Sequence, residues 1–88
     1  MKTLFLLMAQ YDARSVIPLE WVQRDFFNHL DVRKLAAKCA RGEIMLPLVR
    51  TDPSSQKSPK GVGIQDLAEY LDGRQQAARK ELEQLRSR

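Results

Sequence analysis

The sequence predicts a small, mostly helical α+β domain with a short β-hairpin and a long C-terminal helix. Apolar residues recur at intervals of three and four in several segments that carry helix start and stop residues. A stretch rich in Pro and Ser, residues 51–61, lies between two short apolar runs and suits a hairpin loop. With 88 residues the chain supports one domain with a modest core. We expect that domain over residues 1–72 and a helical extension over residues 73–88.

The first element covers residues 3–11, which are apolar almost throughout. Such a run does not distinguish helix from strand, and we favour a short buried helix, with a strand as the alternative. A secretion signal is not expected, because Gln10, Tyr11 and Asp12 follow the run without a small-residue cleavage site. No stretch approaches the ~20 apolar residues of a membrane span, so we expect a cytoplasmic protein without a membrane partner.

Two short helices follow. The first is predicted over residues 18–28, because Pro18 suits the first turn of a helix and Val22 and Phe26 share one face. Phe26 and Phe27 cannot both face the core from one helix. One of the two is therefore expected at an interface, either between two copies of the chain or with residues 3–11.

The second short helix is predicted over residues 32–41. Asp31 is a good N-cap before it, and Gly42 suits its C-terminal end. Two short helices joined by a tight connection, the second basic on its outer face, predict a helix-turn-helix. The apolar stripe of the second helix consists of Val32, Leu35, Ala36 and Cys39.

A β-hairpin is expected next. Residues 44–50 resemble a strand with Pro47 on an edge, and residues 62–64 offer a return strand. The loop between them carries Lys57 and Lys60. A basic hairpin that follows a helix-turn-helix is a wing, so the elements together predict a winged helix-turn-helix domain.

The last helix is predicted from residue 65 onward, in two parts that meet at Gly73. The first part should dock on the core. The second is polar, and a polar helix that projects from a core needs a partner to be stable. Four apolar residues at suitable spacing indicate a homodimer seam, namely Leu71, Ala78, Leu82 and Leu85.

Positive charge is concentrated in residues 33–60, which hold seven basic and two acidic residues, whereas the rest of the chain is close to neutral. A localised positive patch suits phosphate groups, so double-stranded DNA is the expected partner. Arg can read guanine, Lys more often contacts phosphate, and the small Ala37 lets the helix approach the groove. The predicted DNA-binding residues are Arg33, Lys34, Ala37, Lys38 and Arg41 on the helix, and Lys57, Ser58 and Lys60 on the wing.

The sequence gives no support for an enzyme, a metal site or a cofactor. Catalysis would need a Ser/His/Asp group, a phosphate loop or a carboxylate pair in a cleft, and none is recognisable. One cysteine, Cys39, and one histidine, His29, are too few for a zinc site. Cys39 falls in the apolar stripe, so we expect it to pack rather than to act in redox chemistry, and we expect Trp21 to pack as well.

The segments assembled above resemble the pyocin activator protein PrtN family. The resemblance covers nearly all of the chain up to residue 72. It implies a small bacterial activator that binds promoter DNA upstream of pyocin genes of pseudomonads and their prophages, within the nucleoid. Transcription would be switched on after DNA damage, with RNA polymerase as a further candidate partner. The resemblance rests on residues 5–11 (FLLMAQY), 16–19 (VIPL), 25–27 (DFF), 42–44 (GEI), 46–47 (LP), 49–50 (VR), 55–58 (SQKS), 60–62 (KGV) and 65–68 (QDLA).

Two other functions stay open at this point. Residues 18–71 are also similar in layout to winged-helix excisionases and AlpA-type regulators, which bend DNA or regulate phage genes. An excisionase-like architectural protein is therefore the first alternative. The second is a small interaction protein that binds a bacterial regulator without touching DNA.

Overall fold

The computed structural model of the chain describes residues 2–55 and 58–87. It confirms a mostly helical α+β fold with a small antiparallel sheet and a long C-terminal helix. In chain order the elements of the described residues are α1 (Lys2–Gln10), β1 (Val16–Pro18), α2 (Leu19–Phe26), α3 (Val32–Ala40), β2 (Val49–Arg50), β3 (Lys60–Gly63) and α4 (Ile64–Arg86).

The sheet has three antiparallel strands in the order β1, β3, β2. The predicted hairpin is confirmed by the β2–β3 pair, although both strands differ from the prediction. Residues 44–48 are not a strand, and β3 begins at Lys60 rather than at residue 62. Strand β1, which pairs Ile17 with Val62, was not predicted. A three-residue strand whose partner lies some 45 residues further along the chain leaves no local pattern to read.

Gly61 allows the central strand to lie close to β1. A Cβ at this position would lie 2.6 Å from Cγ1 of Val16 and 2.8 Å from the carbonyl oxygen of Ile17. The second of these is a backbone atom and cannot move aside without shifting the strand. The sheet therefore requires glycine at residue 61.

Helices α2 and α3 have the positions that were predicted, with ends that differ by one or two residues. Pro18 precedes α2 as its N-cap instead of forming its first turn, and the helix ends at Phe26. Because Phe27 lies beyond that end, it turns inward and is buried while Phe26 also packs on the core. Both rings therefore reach the core, because they do not lie on one helix as the predicted range of residues 18–28 assumed. The fully buried side chains of the core are Ile17, Leu19, Val22, Leu35, Val62 and Leu67.

Helix α1 confirms the preference for a helix over a strand at residues 3–11, but only one face of it is core. Leu7 is buried, whereas Phe5 is 67% exposed and Leu6 is 69% exposed. The buried face packs against α4, where the Thr3 hydroxyl donates a 2.5 Å hydrogen bond to Oδ1 of Asp72. The expectation that the whole segment is core is therefore wrong.

Helix α4 is continuous over 23 residues, which corresponds to about 34 Å. This confirms the prediction of one long C-terminal helix, and the helix passes through Gly73 without a break. Ile64, Leu67 and Ala68 are buried in the core. From Gly73 onward nearly every described residue is exposed, so the second part of the helix extends beyond the rest of the molecule.

Candidate nucleic-acid interface

Helix α3 is held in place by contacts at its start, middle and end. The Asp31 carboxylate accepts a 2.8 Å hydrogen bond from the backbone N–H of Lys34, which confirms Asp31 as the N-cap. Leu35 is completely buried and fixes the inner face of the helix. Gly42, with a φ of +77°, ends it in the left-handed conformation that favours glycine. The helix therefore presents one fixed face to solvent.

The connection between α2 and α3 is also fixed. The Gln23 side chain on α2 donates a 2.7 Å hydrogen bond to the carbonyl oxygen of Leu30 in the turn. This contact ties the end of the turn to the first helix. The two helices and the turn therefore form the rigid pair that a helix-turn-helix requires.

The predicted DNA-binding residues of α3 divide into an open set and a paired set. Arg33 and Lys34 lie in the first turn, are exposed and form no ion pair among the residues that the structure describes. Ala37 is half-buried further along the helix. Lys38 is half-buried and Arg41 is exposed near the end of the helix. The basic side chains therefore lie on one helix but differ in their partners. Those near its start form no ion pair among the described residues, whereas those near its end do.

Glu43 is the partner of both cations near the end of the helix, and its role was not predicted from the sequence. Its Oε1 lies 3.5 Å from Nζ of Lys38, and its Oε2 accepts a hydrogen bond from Nε of Arg41. The hydrogen bond from Arg41 lowers the pKa of Glu43, so this side chain is ionised at neutral pH. The sequence does show an acidic residue directly after Gly42. The turn at Gly42 brings this residue back to the end of the helix.

The strands β2 and β3 form a two-stranded ribbon, residues 49–50 with residues 60–63, that carries two further cations. Arg50 and Lys60 lie directly opposite each other in the antiparallel register. Neither forms an ion pair in the described part of the chain. Like charges in this position repel each other, so the pair is suited to an anion supplied from outside. Lys60 was predicted, whereas Arg50 was missed because its strand partner could not be known.

Of the two DNA-binding residues predicted on the wing loop, Lys57 and Ser58, the structure describes only Ser58. Lys57 lies outside the described residues. The Ser58 side chain is half-buried, and its Oγ accepts a 2.9 Å hydrogen bond from the backbone N–H of Asp52. The same Oγ lies 3.1 Å from Oγ1 of Thr51. Ser58 therefore closes the loop, and a contact of its hydroxyl with phosphate stays a prediction.

Trp21 packs within the molecule, as expected. Its ring stacks on Tyr11 with centroids 6.2 Å apart, and the Arg14 guanidinium lies 4.6 Å from the ring centroid. The Tyr11 hydroxyl donates a 2.5 Å hydrogen bond to Asp25. Hydrogen bonds from Arg24 and Tyr11 lower the pKa of Asp25 to about 2. This cluster joins the turn after α1 to α2, and Trp21 is half-buried in it.

Cys39 is half-buried beside the core, and burial raises the pKa of its thiol. Less of it is therefore present as the reactive thiolate at neutral pH. Among the described residues there is no group of His, Cys, Asp and Glu side chains placed to hold a metal ion. None of the helices described here has the length and apolar character that crossing a membrane demands.

The predicted dimer residues lie in two different environments, one at the core and three beyond it. Leu71 is half-buried against the core. Ala78 is exposed, Leu82 is 49% exposed and Leu85 is 65% exposed. The structure therefore leaves three of the four without cover in the single chain.

The two fixed helices, the ribbon after them and the helix that closes the core have the layout of a winged helix-turn-helix domain. Among protein families, the model described as pyocin activator protein PrtN matches residues 3–78. The chain belongs to the PrtN family. No curated protein and no solved structure matches it.

Proposed function

We propose that this protein binds double-stranded promoter DNA in a sequence-specific manner and activates transcription of pyocin or prophage genes. The observation that carries the proposal is the presence in one small domain of two exposed cationic surfaces. One is the outer face of α3, and the other is the Arg50–Lys60 pair of the ribbon. Membership of the PrtN family supports the activation of pyocin genes.

In the proposed complex α3 enters the major groove. Its first turn carries Arg33 and Lys34, and the N-terminal residues of a recognition helix are the ones that reach base edges. The Arg33 guanidinium can donate two parallel hydrogen bonds to guanine. Half-buried Ala37, one turn further on, is small enough for the helix to lie deep in the groove.

The ribbon grips the DNA backbone beside the groove. Arg50 and Lys60 neutralise phosphates there, which relieves the repulsion between them. Lys57 and Ser58 on the wing loop are proposed to add contacts to the same strand. Such contacts carry no sequence information, but they set the position of α3 on the duplex.

The protein acts by binding and not by catalysis in this proposal, and it requires no cofactor. It would work on the bacterial nucleoid in the cytoplasm, with RNA polymerase as the partner that receives the activating signal. The candidate site offers positioned cations on a rigid helix, which is the requirement for groove recognition.

A mobility-shift titration with the duplex upstream of a pyocin gene tests the proposal. We expect binding that weakens as salt rises and that resists competition by a shuffled duplex. Lys57→Ala should weaken binding equally on all sequences, whereas Arg33→Ala or Lys34→Ala should change sequence preference. Identical effects of all three changes would contradict the assigned roles. A genome-wide binding map in the native host should place the protein at pyocin promoters.

Further measurements distinguish the proposal from the two alternative functions. A large DNA bend, together with activity in recombination and none at promoters, would favour an excisionase-like protein. Purification from a nuclease-treated lysate tests the other alternative. A stoichiometric protein partner combined with no affinity for DNA would favour the interaction protein and contradict the proposal.

A further inference from the structure

Helix α1 has an uncovered apolar face. Phe5 and Leu6 are each about two-thirds exposed, and Met8 is 37% exposed. A helix that is apolar on nearly all sides is normally buried on all sides. Here only the face that contains Leu7 packs against α4. The solvent side of α1 therefore needs a covering surface that the single chain does not supply.

The tail of α4, residues 73–86, is uncovered in the same way. It extends about 21 Å beyond the core, since each helical residue adds 1.5 Å. A polar helix of this length is marginal in water without a packing partner. Leu82 and Leu85 are the exposed apolar residues near its tip. The chain thus has two apolar surfaces that lack partners, one on α1 and one on the tail.

The two surfaces lie at opposite ends of the tail. The hydrogen bond from Thr3 to Asp72 places the beginning of α1 beside the residue where the tail starts. Leu82 and Leu85 lie near the tip, about 15 to 20 Å further along the helix. A tail cannot fold back to cover α1 of its own chain, because α4 is a continuous helix. A second copy can cover it.

We propose that two copies of this chain pair through antiparallel tails, and that the tip of each tail covers the exposed face of α1 in the other copy. A two-fold axis at Ala78 places Leu71 of one copy opposite Leu85 of the other. The small Ala78 side chain lets the helices approach where they cross. A parallel pair would join the two tips to each other and leave Phe5 and Leu6 bare.

The charges along the tail favour the antiparallel arrangement. With Ala78 and Leu85 in the seam, Arg74 and Glu81 occupy equivalent flanking positions on one side of it. The antiparallel pair places Arg74 of each copy beside Glu81 of the other. On the second flank it places Asp72 beside Arg86, while the two Arg79 side chains meet at the axis. A parallel pair would place Arg74 beside Arg79 twice and Glu81 beside Arg86 twice, so it has fewer attractive contacts and one more repulsive contact than the antiparallel pair.

The area of the contact also indicates that α1 is part of the dimer interface. A standard interface covers roughly 800 Å² on each partner. Two tails that touch over about 21 Å form a narrow strip that does not reach this area. The exposed face of α1 adds a second apolar surface at each end of the strip. The pairing does not depend on the proposed DNA binding, so it is tested without DNA.

Sedimentation equilibrium of the full chain is the first test, and we expect a dimer at micromolar concentration. A monomer at 100 µM, roughly the concentration at which a weak interface would still be populated, would contradict the proposal. Arg74→Glu should weaken the dimer at least about tenfold, because it creates two Glu–Glu contacts. Restoration by Arg74→Glu with Glu81→Arg would support the antiparallel pair. A stronger dimer in Arg74→Glu alone would indicate the parallel pair and overturn the proposal.

Polar changes on α1 test its part in the contact. Phe5→Ser with Leu6→Ser should weaken the dimer at least about tenfold, and circular dichroism should show the helical content of the wild type. Met45→Ser is the matched control, since Met45 is 76% exposed and lies on neither surface. A dimer unchanged by the α1 variant, or weakened equally by the control, would remove α1 from the interface.

Disulfide cross-linking in a Cys39→Ala background tests the direction independently. In the antiparallel pair, residue 75 lies next to residue 82 of the other copy. An equimolar mixture of the Gln75→Cys and Leu82→Cys chains should therefore form a mixed disulfide dimer. Each variant alone should not, because like positions lie beyond the ~7 Å between Cα atoms that a disulfide can bridge. Efficient cross-linking of either variant with itself would contradict the antiparallel arrangement.

Discussion

Helix α3 and the ribbon both present cations to solvent, but they are held by different means. Local contacts fix α3, since Asp31 caps its start, Gly42 ends it and Leu35 anchors its middle. The ribbon has two paired positions between β2 and β3, and it is joined to the rest of the sheet through β1. The helix is therefore the rigid element, suited to reading bases. The ribbon is held by fewer contacts. It is suited to the DNA backbone, whose chemistry varies little with sequence.

The charges of the two regions differ as well. Glu43 pairs with the two cations near the end of α3, whereas the described part of the chain gives Arg50 and Lys60 no such counter-ion. The open cations of the interface are therefore at the start of α3 and on the ribbon. This division predicts which substitutions act on sequence preference and which act on affinity alone.

The largest effect should come from Gly61→Ala, which disturbs the ribbon and its attachment while leaving α3 intact. The new Cβ would overlap Val16 and the Ile17 carbonyl, so we expect the free energy of unfolding to fall by about 1–3 kcal/mol. Gly73→Ala is the matched control. No atom lies within 4 Å of its new Cβ, and removing a glycine from a helix should raise stability by about 0.5–1 kcal/mol. Urea unfolding measures both, and a neutral Gly61→Ala would show that the close approach is unimportant.

Single alanine changes in the two regions should separate the recognition of bases from binding to the DNA backbone. Arg33→Ala should cost about 1–3 kcal/mol on the native site and relax preference at one base pair. Arg50→Ala should weaken native and shuffled duplexes alike and reduce the salt slope by about 1. Fluorescence anisotropy with both duplexes measures these effects. The same loss of preference in both variants would abolish the distinction between the regions.

Removal of the counter-ion on α3 should give the smallest effect, in the direction of tighter binding. Glu43→Gln frees Lys38 and Arg41 and removes a negative charge beside the DNA. We expect affinity to rise roughly threefold and no more, because Glu43 is exposed and its ion pairs are screened by solvent. Glu83→Gln on the tail is the control, because it removes the same charge far from α3. Weaker binding in Glu43→Gln would mean that Glu43 positions Arg41 for contact instead of competing for it.

The difference between the regions also explains how much the sequence could predict. The start, end and buried face of α3 depend on Asp31, Gly42 and Leu35, which are local signals, and all three were read correctly. Strand β1 depends on Val62 and on the close approach at Gly61, which are distant in the chain. Its Pro18 is also a helix-start residue, so the local signal favoured the helix. Non-local pairing is therefore where the prediction of the fold failed.

The candidate site shows the same limit. Its helical cations could be predicted from their spacing around a buried stripe. Arg50 could not, because its importance lies in the residue opposite it, Lys60. Glu43 could have been considered as an acidic residue within reach of two basic ones. The ion pairs themselves depend on the turn at Gly42, whose backbone conformation only the structure shows.

The salt dependence of binding to the native promoter duplex is the sharpest test of the proposed contacts with DNA. Each phosphate contact contributes about −0.9 to the slope of log affinity against log salt concentration. Phosphate contacts by Arg50, Lys57 and Lys60 would give a slope of roughly −3 for each copy bound. We predict such a slope, with a preference for the native duplex that Arg33→Ala removes. Undetectable binding at low salt, or an affinity that does not fall as salt rises, would contradict the account.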